Sequence, residues 1–211
     1  MLRTGTALSF LMHRRLLPGL LAALMMAPGT VRAQVQPTQV VEKLHGALLD
    51  VMREASRVGT RGRFERLRPV MESSFDLAAM TRIAVGPGWT SVPSDTQADL
   101  SRAFSDWSIA TYASRFNGFA GESFTTEGES TLRNGDRMVR TLLNRPGQDP
   151  VRLGYLLRQR GGQWCIVDVY LSGSISELAS RRADFASILS DGGAGRLIGE
   201  LRRRTAELLR S

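Results

Sequence analysis

The chain has 211 residues, a formal net charge of +8 and an isoelectric point near 11.0. Four arginines and no acidic residue lie within the first 33 positions, so the remaining residues carry a net charge of +4. That small excess argues against a nucleic-acid-binding protein. Cys165 is the only cysteine, which excludes an internal disulfide.

The N-terminal residues have the composition of a secretory signal peptide. A basic start is followed by an apolar run over residues 16–26, which is too short to span a membrane comfortably. Residues 31–33 place small side chains at the spacing of a cleavage site. A retained anchor or a buried helix is the alternative. We predict a cleaved signal peptide over residues 1–33, a periplasmic location and one domain over residues 34–211.

The first half of this domain has the apolar periodicity of amphipathic helices. Ser73 or Ser74 is expected to cap the third helix, and Ser94 the fourth, with Gln97 returning the bond. Residues 59–62 and 86–88 are rich in glycine and are expected to separate helices. Helices are predicted over residues 37–56, 64–71, 75–84 and 94–116.

After residue 118 the pattern changes to that of strands joined by tight turns. Asn134-Gly135-Asp136 is a strong turn signal, and Gly161-Gly162 can supply the positive φ angles of a two-residue hairpin. Strands are predicted over residues 122–129, 137–144, 151–158 and 164–171.

The last predicted strand, over residues 164–171, is apolar on both faces apart from Asp168. Such a strand needs cover on both faces, or one cover and one apolar ligand. A capping box at Ser174 to Glu177 opens a helix that ends near Gly192-Gly193, and a final helix follows over residues 194–209. This order predicts an α+β fold in which helices cover one side of a four-stranded antiparallel sheet.

Catalytic and metal-binding patterns are missing from the sequence. One cysteine and, after residue 33, one histidine cannot form a zinc site, and no nucleotide-binding or nucleophile motif occurs. His45 is expected at the surface or boundary of the first helix rather than as a base. We therefore predict no metal, no cofactor and no enzymatic activity.

Asp168 has two interpretations, since a charge among apolar neighbours is costly unless it has partners. It is either the general base of a cone-shaped α+β enzyme, acting with Tyr155 or Tyr112, or a structural carboxylate. In the structural case it pairs with Arg181 or Arg182, or caps a nearby helix. The structural role is favoured, because no second catalytic acid is visible.

Several short motifs resemble the MlaC family, the periplasmic carriers of the Mla lipid-transport system, which are also called toluene-tolerance auxiliary proteins. They include Phe75-Asp76, Met80-Thr81-Arg82, Thr111-Tyr112-Ala113 and the run from Trp164 to Val169. Gly173-Ser174-Ile175-Ser176 and the run from Phe185 to Leu189 continue the set. The resemblance extends over about residues 75–201.

The resemblance implies an NTF2-like α+β fold that holds lipid acyl chains in an apolar cavity between sheet and helices. It implies a carrier, expected to be a monomer, that moves phospholipid between an outer-membrane lipoprotein complex and an inner-membrane ABC transporter complex. Such transport maintains the lipid asymmetry of the outer membrane. The expected lipid-binding residues are Trp89, Phe104, Ile109, Tyr112, Phe116, Leu153, Tyr155, Ile166 and Val169.

Two departures bear on the ligand. Arg181 stands where a tyrosine is expected in phospholipid carriers, and Glu177-Leu178-Ala179 differs from the usual run. This tail is more similar to the branch associated with hopanoid biosynthesis, so a hopanoid is the alternative ligand. A third possibility is a ligand-free adaptor between envelope complexes, which predicts a filled core and an exposed apolar patch.

Overall fold

The computed structural model of the protein describes residues 35–210, which fold into helices and one sheet. No helix within those residues has the length and apolar character needed to cross a membrane. A short 3₁₀ helix, Gly86–Ser91, connects the third and fourth α-helices. The elements are α1 (Pro37–Arg53), α2 (Ala55–Ser74), α3 (Leu77–Val85), α4 (Ser94–Arg115), β1 (Ser123–Thr131), β2 (Arg137–Arg145), β3 (Gln148–Arg160), β4 (Gln163–Leu171), β5 (Ile175–Ser176) and α5 (Glu177–Leu208).

The predicted α+β class is confirmed, but the sheet has five strands in the order β1-β2-β3-β4-β5, not four. All neighbouring strands are antiparallel. The fifth strand contains only Ile175 and Ser176, which pair with Leu171 and Tyr170 at the sheet edge. Two residues carry no alternation of apolar and polar side chains, so sequence periodicity cannot reveal such a strand.

The predicted start of α3 is wrong. Asp76 is the N-cap residue, and its carboxylate accepts a hydrogen bond from the Ala79 backbone N–H at 3.0 Å. Ser73 instead donates its hydroxyl to the Val70 carbonyl within the preceding helix. The negative charge of an aspartate at this position also interacts favourably with the positive end of the helix dipole.

Ser94 does not cap α4 either, because Pro93 is the N-cap residue and no side chain accepts a bond there. The Gln97 side chain turns back and donates to the carbonyls of Trp89 and Val92, at 3.0 and 2.9 Å. The predicted capping box is therefore wrong, and the glutamine stabilises the connection that enters α4.

The C-terminal helix α5 folds back on itself. Gly192 and Gly193 have non-helical angles, and Gly193 adopts a φ of 66°, which favours glycine. Asp184 and Arg204 form an ion pair across this turn. The break predicted at these glycines is confirmed, although the first arm is capped by Ser176, which accepts from the Ala179 N–H, and not by Ser174.

Strand β4 is covered on both faces, as the sequence predicted. Cys165 and Val167 on one side and Ile166 on the other are all buried. The connection between α2 and α3 runs beside the strand, where the Asp76 N–H donates to the Ile166 carbonyl at 2.9 Å. Phe75 forms a parallel bridge to Ile166 at the same place. The helical layer is thus tied directly to the edge of β4 that does not pair with β3.

Candidate ligand-binding interior

The side chains predicted to contact lipid lie in or against one apolar core between the sheet and the helices. Six of them are buried, and the other three are half-buried and packed against the same cluster. The buried members are Phe104, Ile109, Leu153, Tyr155, Ile166 and Val169, and the half-buried members are Trp89, Tyr112 and Phe116.

Strand register explains why the sheet presents an apolar inner face. Tyr155 on β3 pairs with Val139 on one side and Val169 on the other, so the three side chains project to the same face. Leu153 and Leu157 follow at alternate positions of β3. The gap in register between Leu156 and Leu157 marks a bulge that keeps the apolar side chains of β4 on this face.

Helix α4 supplies aromatic side chains above this face. The Tyr112 ring packs against Phe75 and Phe116, in each case with 5.8 Å between ring centroids. Phe104 meets Phe185 of α5 edge-on at 6.2 Å. Aromatic packing of this kind fixes the helix relative to the sheet and leaves the interior largely apolar.

One polar pair lies within this interior. His45 of α1 is only 4% exposed, stacks on Phe124 at 3.8 Å and meets the Tyr155 hydroxyl at 3.0 Å through Nε2. The expectation of a surface or boundary position for His45 is therefore wrong. Burial lowers the pKa of His45 to about 4 and raises that of Tyr155 well above its usual value of 10.0. Both groups are neutral at pH 7, so the pair adds no charge to the interior.

A second polar group on the inner face is Thr141 of β2, which pairs in register with Leu153. Its hydroxyl oxygen is buried and has no hydrogen-bond partner among residues 35–210. Buried hydroxyls are normally satisfied by protein, water or ligand. The inner face can therefore donate a hydrogen bond to, or accept one from, an oxygen atom that reaches β2.

Asp168 belongs to the architecture of the fold. It alternates with Val169 and therefore points to the opposite face of the sheet from Tyr155. Its carboxylate accepts hydrogen bonds from the N–H groups of Val169 and Leu178, at 2.8 and 3.1 Å, and from the Ser176 hydroxyl at 2.6 Å. The capping alternative is the one observed, and the carboxylate is occupied by donors at the start of α5.

The described residues contain neither a cluster of metal-ligating side chains nor an exposed thiol. No group of three or more histidine, cysteine or acidic residues lies close enough together to hold a metal ion there. Cys165 is buried, and burial raises the pKa of its thiol, so the reactive thiolate is disfavoured.

A groove that the sequence did not indicate lies between α4 and the second arm of α5. It has a volume of about 570 Å³. Its edge carries the indole of Trp107, over which the Arg181 guanidinium carbon lies 3.9 Å from the ring centroid. Linear sequence gives no signal for this pairing, because the residues are on different helices and 74 positions apart. The lining includes Trp107, Thr111, Arg115, Arg204, Glu207 and Leu208.

These features define an α+β protein in which helices and an antiparallel sheet enclose a largely apolar interior. The sequence model described as MlaC protein matches residues 42–203. The chain belongs to the MlaC family, as its motifs indicated. No protein with a curated description matches the sequence.

A solved structure gives the same fold. The chain is similar to a phospholipid-binding protein from Ralstonia solanacearum that was determined in complex with a phospholipid, with a TM-score of 0.71 and 23% sequence identity. The likeness covers 83% of this chain and 99% of that one. At this identity it establishes the fold alone.

Proposed function

We propose that the protein is a lipid carrier of the periplasm, which binds phospholipid and catalyses no reaction. Membership of the MlaC family over residues 42–203 is the observation that carries this proposal. The phospholipid bound to the structurally similar Ralstonia solanacearum protein supports the same ligand class. A hopanoid is the alternative cargo, suggested by the Arg181 position and the run that precedes it.

The physical chemistry of lipid transfer explains why such a carrier needs an apolar interior. Each buried methylene contributes about 0.8 kcal/mol, so exposing one sixteen-carbon chain to water costs roughly 12 kcal/mol. A carrier must supply a comparable apolar environment during transfer. The apolar inner face of the sheet, the aromatic side chains of α4 and the neutral His45–Tyr155 pair suit that task.

The proposal assigns roles to the parts of the chain. Residues 1–33 direct export and are removed, and residues 34–211 form one lipid-binding domain that acts as a monomer. The partners are an outer-membrane lipoprotein complex and an inner-membrane ABC transporter complex. The acyl chains contact Trp89, Phe104, Ile109, Tyr112, Phe116, Leu153, Tyr155, Ile166 and Val169.

The direct test is to express the full chain in a Gram-negative host, purify the protein from the periplasmic fraction and analyse its extract by mass spectrometry. We expect a stoichiometric phospholipid or hopanoid. Protein that is folded but consistently free of lipid, and that takes up none from vesicles, contradicts the proposal.

A matched pair of variants tests the lining. Val169→Trp fills the inner face beside Tyr155, whereas Ile175→Trp adds the same ring at an exposed position of β5. We expect Val169→Trp to lose most of its bound lipid while circular dichroism shows a folded protein, because overpacking removes room for the ligand. Ile175→Trp should keep its lipid. Equal lipid content in both variants contradicts the assigned lining.

A further inference from the structure

An unusual cation, Arg181, packs on Trp107, one of the residues that line the groove between α4 and the second arm of α5. The Arg181 side chain is 17% exposed and lies over Trp107, where the guanidinium carbon is 3.9 Å from the ring centroid. A cation–π contact of this kind involves the face of a guanidinium and not its N–H edge. That edge is the part of the side chain that binds carboxylates and phosphates.

Arg181 shares its nearby carboxylates with other cations: Asp184, which also acts on its charge, is paired with Arg204. Arg181 donates to the Glu177 carboxylate at 3.4 Å, a long hydrogen bond, and Arg115 approaches the same carboxylate at 3.8 Å. One carboxylate is thus shared by two guanidinium groups. Burial lowers the pKa of Arg181, which reflects the cost of holding this charge away from water. An added anion would compensate both the charge and the free N–H groups.

The other wall of the groove offers no comparable charge. Arg204 is paired with Asp184 and Glu200, and Glu207 on the same wall is paired with Arg203. The Glu207 carboxylate would repel an anion on its own side of the groove. The charge available to an anion therefore lies on the Arg115 and Arg181 side.

Tyr112 connects this charged edge to the apolar interior. Its ring contacts Phe75 and Phe116 in the core. Burial, followed by the nearby Glu177 carboxylate, raises the pKa of Tyr112 to about 12. Tyr112 and Arg115 are three residues apart on α4, so this helix connects the aromatic interior with the arginine. An amphiphile with its tails inside could place a polar group at the arginines.

We propose that Arg115 and Arg181 bind the phosphate group of the lipid whose acyl chains occupy the interior. This inference rests on the proposed carrier function and adds a polar subsite to it. The groove volume of about 570 Å³ falls within the usual range of small-molecule sites. The planar guanidinium on the indole supplies two parallel N–H donors, the geometry that a phosphate accepts.

The test compares two lipids that differ only in the phosphate-bearing head: phosphatidylglycerol and diacylglycerol with identical acyl chains. Binding to the purified protein is measured by competition against a fluorescent phospholipid. We expect the wild type to prefer phosphatidylglycerol at least about tenfold, the size expected for charge-assisted hydrogen bonds. Arg181→Gln and Arg115→Gln should each reduce that preference severalfold and leave diacylglycerol binding unchanged.

Arg152→Gln is the matched control, because it removes one positive charge from an exposed position on β3. It should leave both affinities unchanged. Arg115 is itself largely exposed, so its variant tests the proposal even if Arg181→Gln folds poorly. Arg181→Lys keeps the charge without the planar fork and should give an intermediate preference.

Three outcomes overturn the phosphate subsite. The first is equal binding of the two lipids by the wild type, which leaves the carrier function intact. The second is an equal loss of preference in Arg152→Gln. The third is binding of millimolar inorganic phosphate to the lipid-free protein that is lost in the Arg115 and Arg181 variants, while the lipid preference of these variants is unchanged. That result assigns the site to a free anion. Failure to bind either lipid instead contradicts the proposed function itself.

Discussion

The two faces of the sheet differ in how completely their buried polar groups are hydrogen-bonded. On one face Asp168 accepts three hydrogen bonds and fixes the start of α5 to β4. On the other face His45 and Tyr155 share one hydrogen bond, and Thr141 has none. The first site is fully satisfied, whereas the second retains unused hydrogen-bonding capacity inside an apolar region.

This difference in hydrogen bonding distinguishes the structural site at Asp168 from the inner face, which is suited to a ligand. A buried charge is stable only where hydrogen-bond donors surround it. Asp168 therefore requires β4 and the start of α5 to keep their relative position. Neutral groups with spare capacity can exchange partners without leaving a charge exposed to hydrocarbon. The inner face therefore suits a region that is alternately filled by lipid and emptied.

The largest expected effect comes from the architectural site. Asp168→Ala removes three acceptor contacts and leaves the donors of Ser176 and Leu178 without their partner. We expect the free energy of unfolding to fall by about 4 kcal/mol, from the usual cost of losing buried hydrogen bonds to a charged group. Urea denaturation followed by circular dichroism measures the change.

Asp168→Asn is the control for a catalytic role, because it keeps the shape and one acceptor oxygen but cannot act as a base. It should be less destabilised than the alanine variant and should carry the same amount of lipid. A stable Asp168→Asn protein that has lost lipid transfer would assign Asp168 a functional role and contradict its purely structural one.

The next effect concerns His45 and pH. Its pKa is 6.5 in the unfolded chain but about 4 when folded, so the unfolded state binds more protons between these values. Stability is therefore retained above pH 6.5 and is lost as the pH falls towards 4. The His45 contribution to this loss reaches about 3 kcal/mol.

His45→Leu isolates that contribution, because it removes the titrating ring while the acidic residues remain. The stability difference between pH 7 and pH 4 should be smaller in the variant by the amount attributed to His45. Identical pH dependence of the two proteins would mean that the ring is accessible to water and is not held in a dry interior.

Most of the architecture is visible in the sequence, because it follows from periodicity and turn chemistry. Alternation places Tyr155 and Leu153 on one face of β3, and Gly161-Gly162, both with positive φ, forms the predicted hairpin. The errors occur where several neighbouring polar residues could fill one role, or where an element is too short to show a periodicity. Asp76 replaces the serines as a cap, and Ser176 joins the sheet edge.

The candidate site is less predictable for a different reason. His45 looks like a helix-surface residue until α1 is placed over Phe124 and Tyr155, two aromatic residues far along the chain. Likewise, the apolar periodicity of α4 assigns Trp107 to the core but cannot show that Arg181 stacks on it. Sequence patterns identify faces, whereas the polar contacts of a site depend on tertiary packing.

The smallest expected effect concerns the hydrogen bond between His45 and Tyr155. Tyr155→Phe removes the hydroxyl that meets His45 Nε2 and leaves the ring in place. We expect a loss of about 1.5 kcal/mol, since one buried hydrogen bond is broken and one partner stays unpaired. The pKa of His45 should remain low, because burial causes its shift.

Tyr170→Phe provides the control, since Tyr170 alternates with Val169 and projects from the opposite face of β4. Its hydroxyl can be removed with little change in stability, because the side chain is only half-buried. Nuclear magnetic resonance titration of His45 together with urea denaturation separates the two effects. If Tyr155→Phe raises the pKa of His45 towards 6.5, water has entered the inner face. The hydroxyl would then be what keeps that face dry, and the contrast between the two sides of the sheet would depend on a single hydrogen bond.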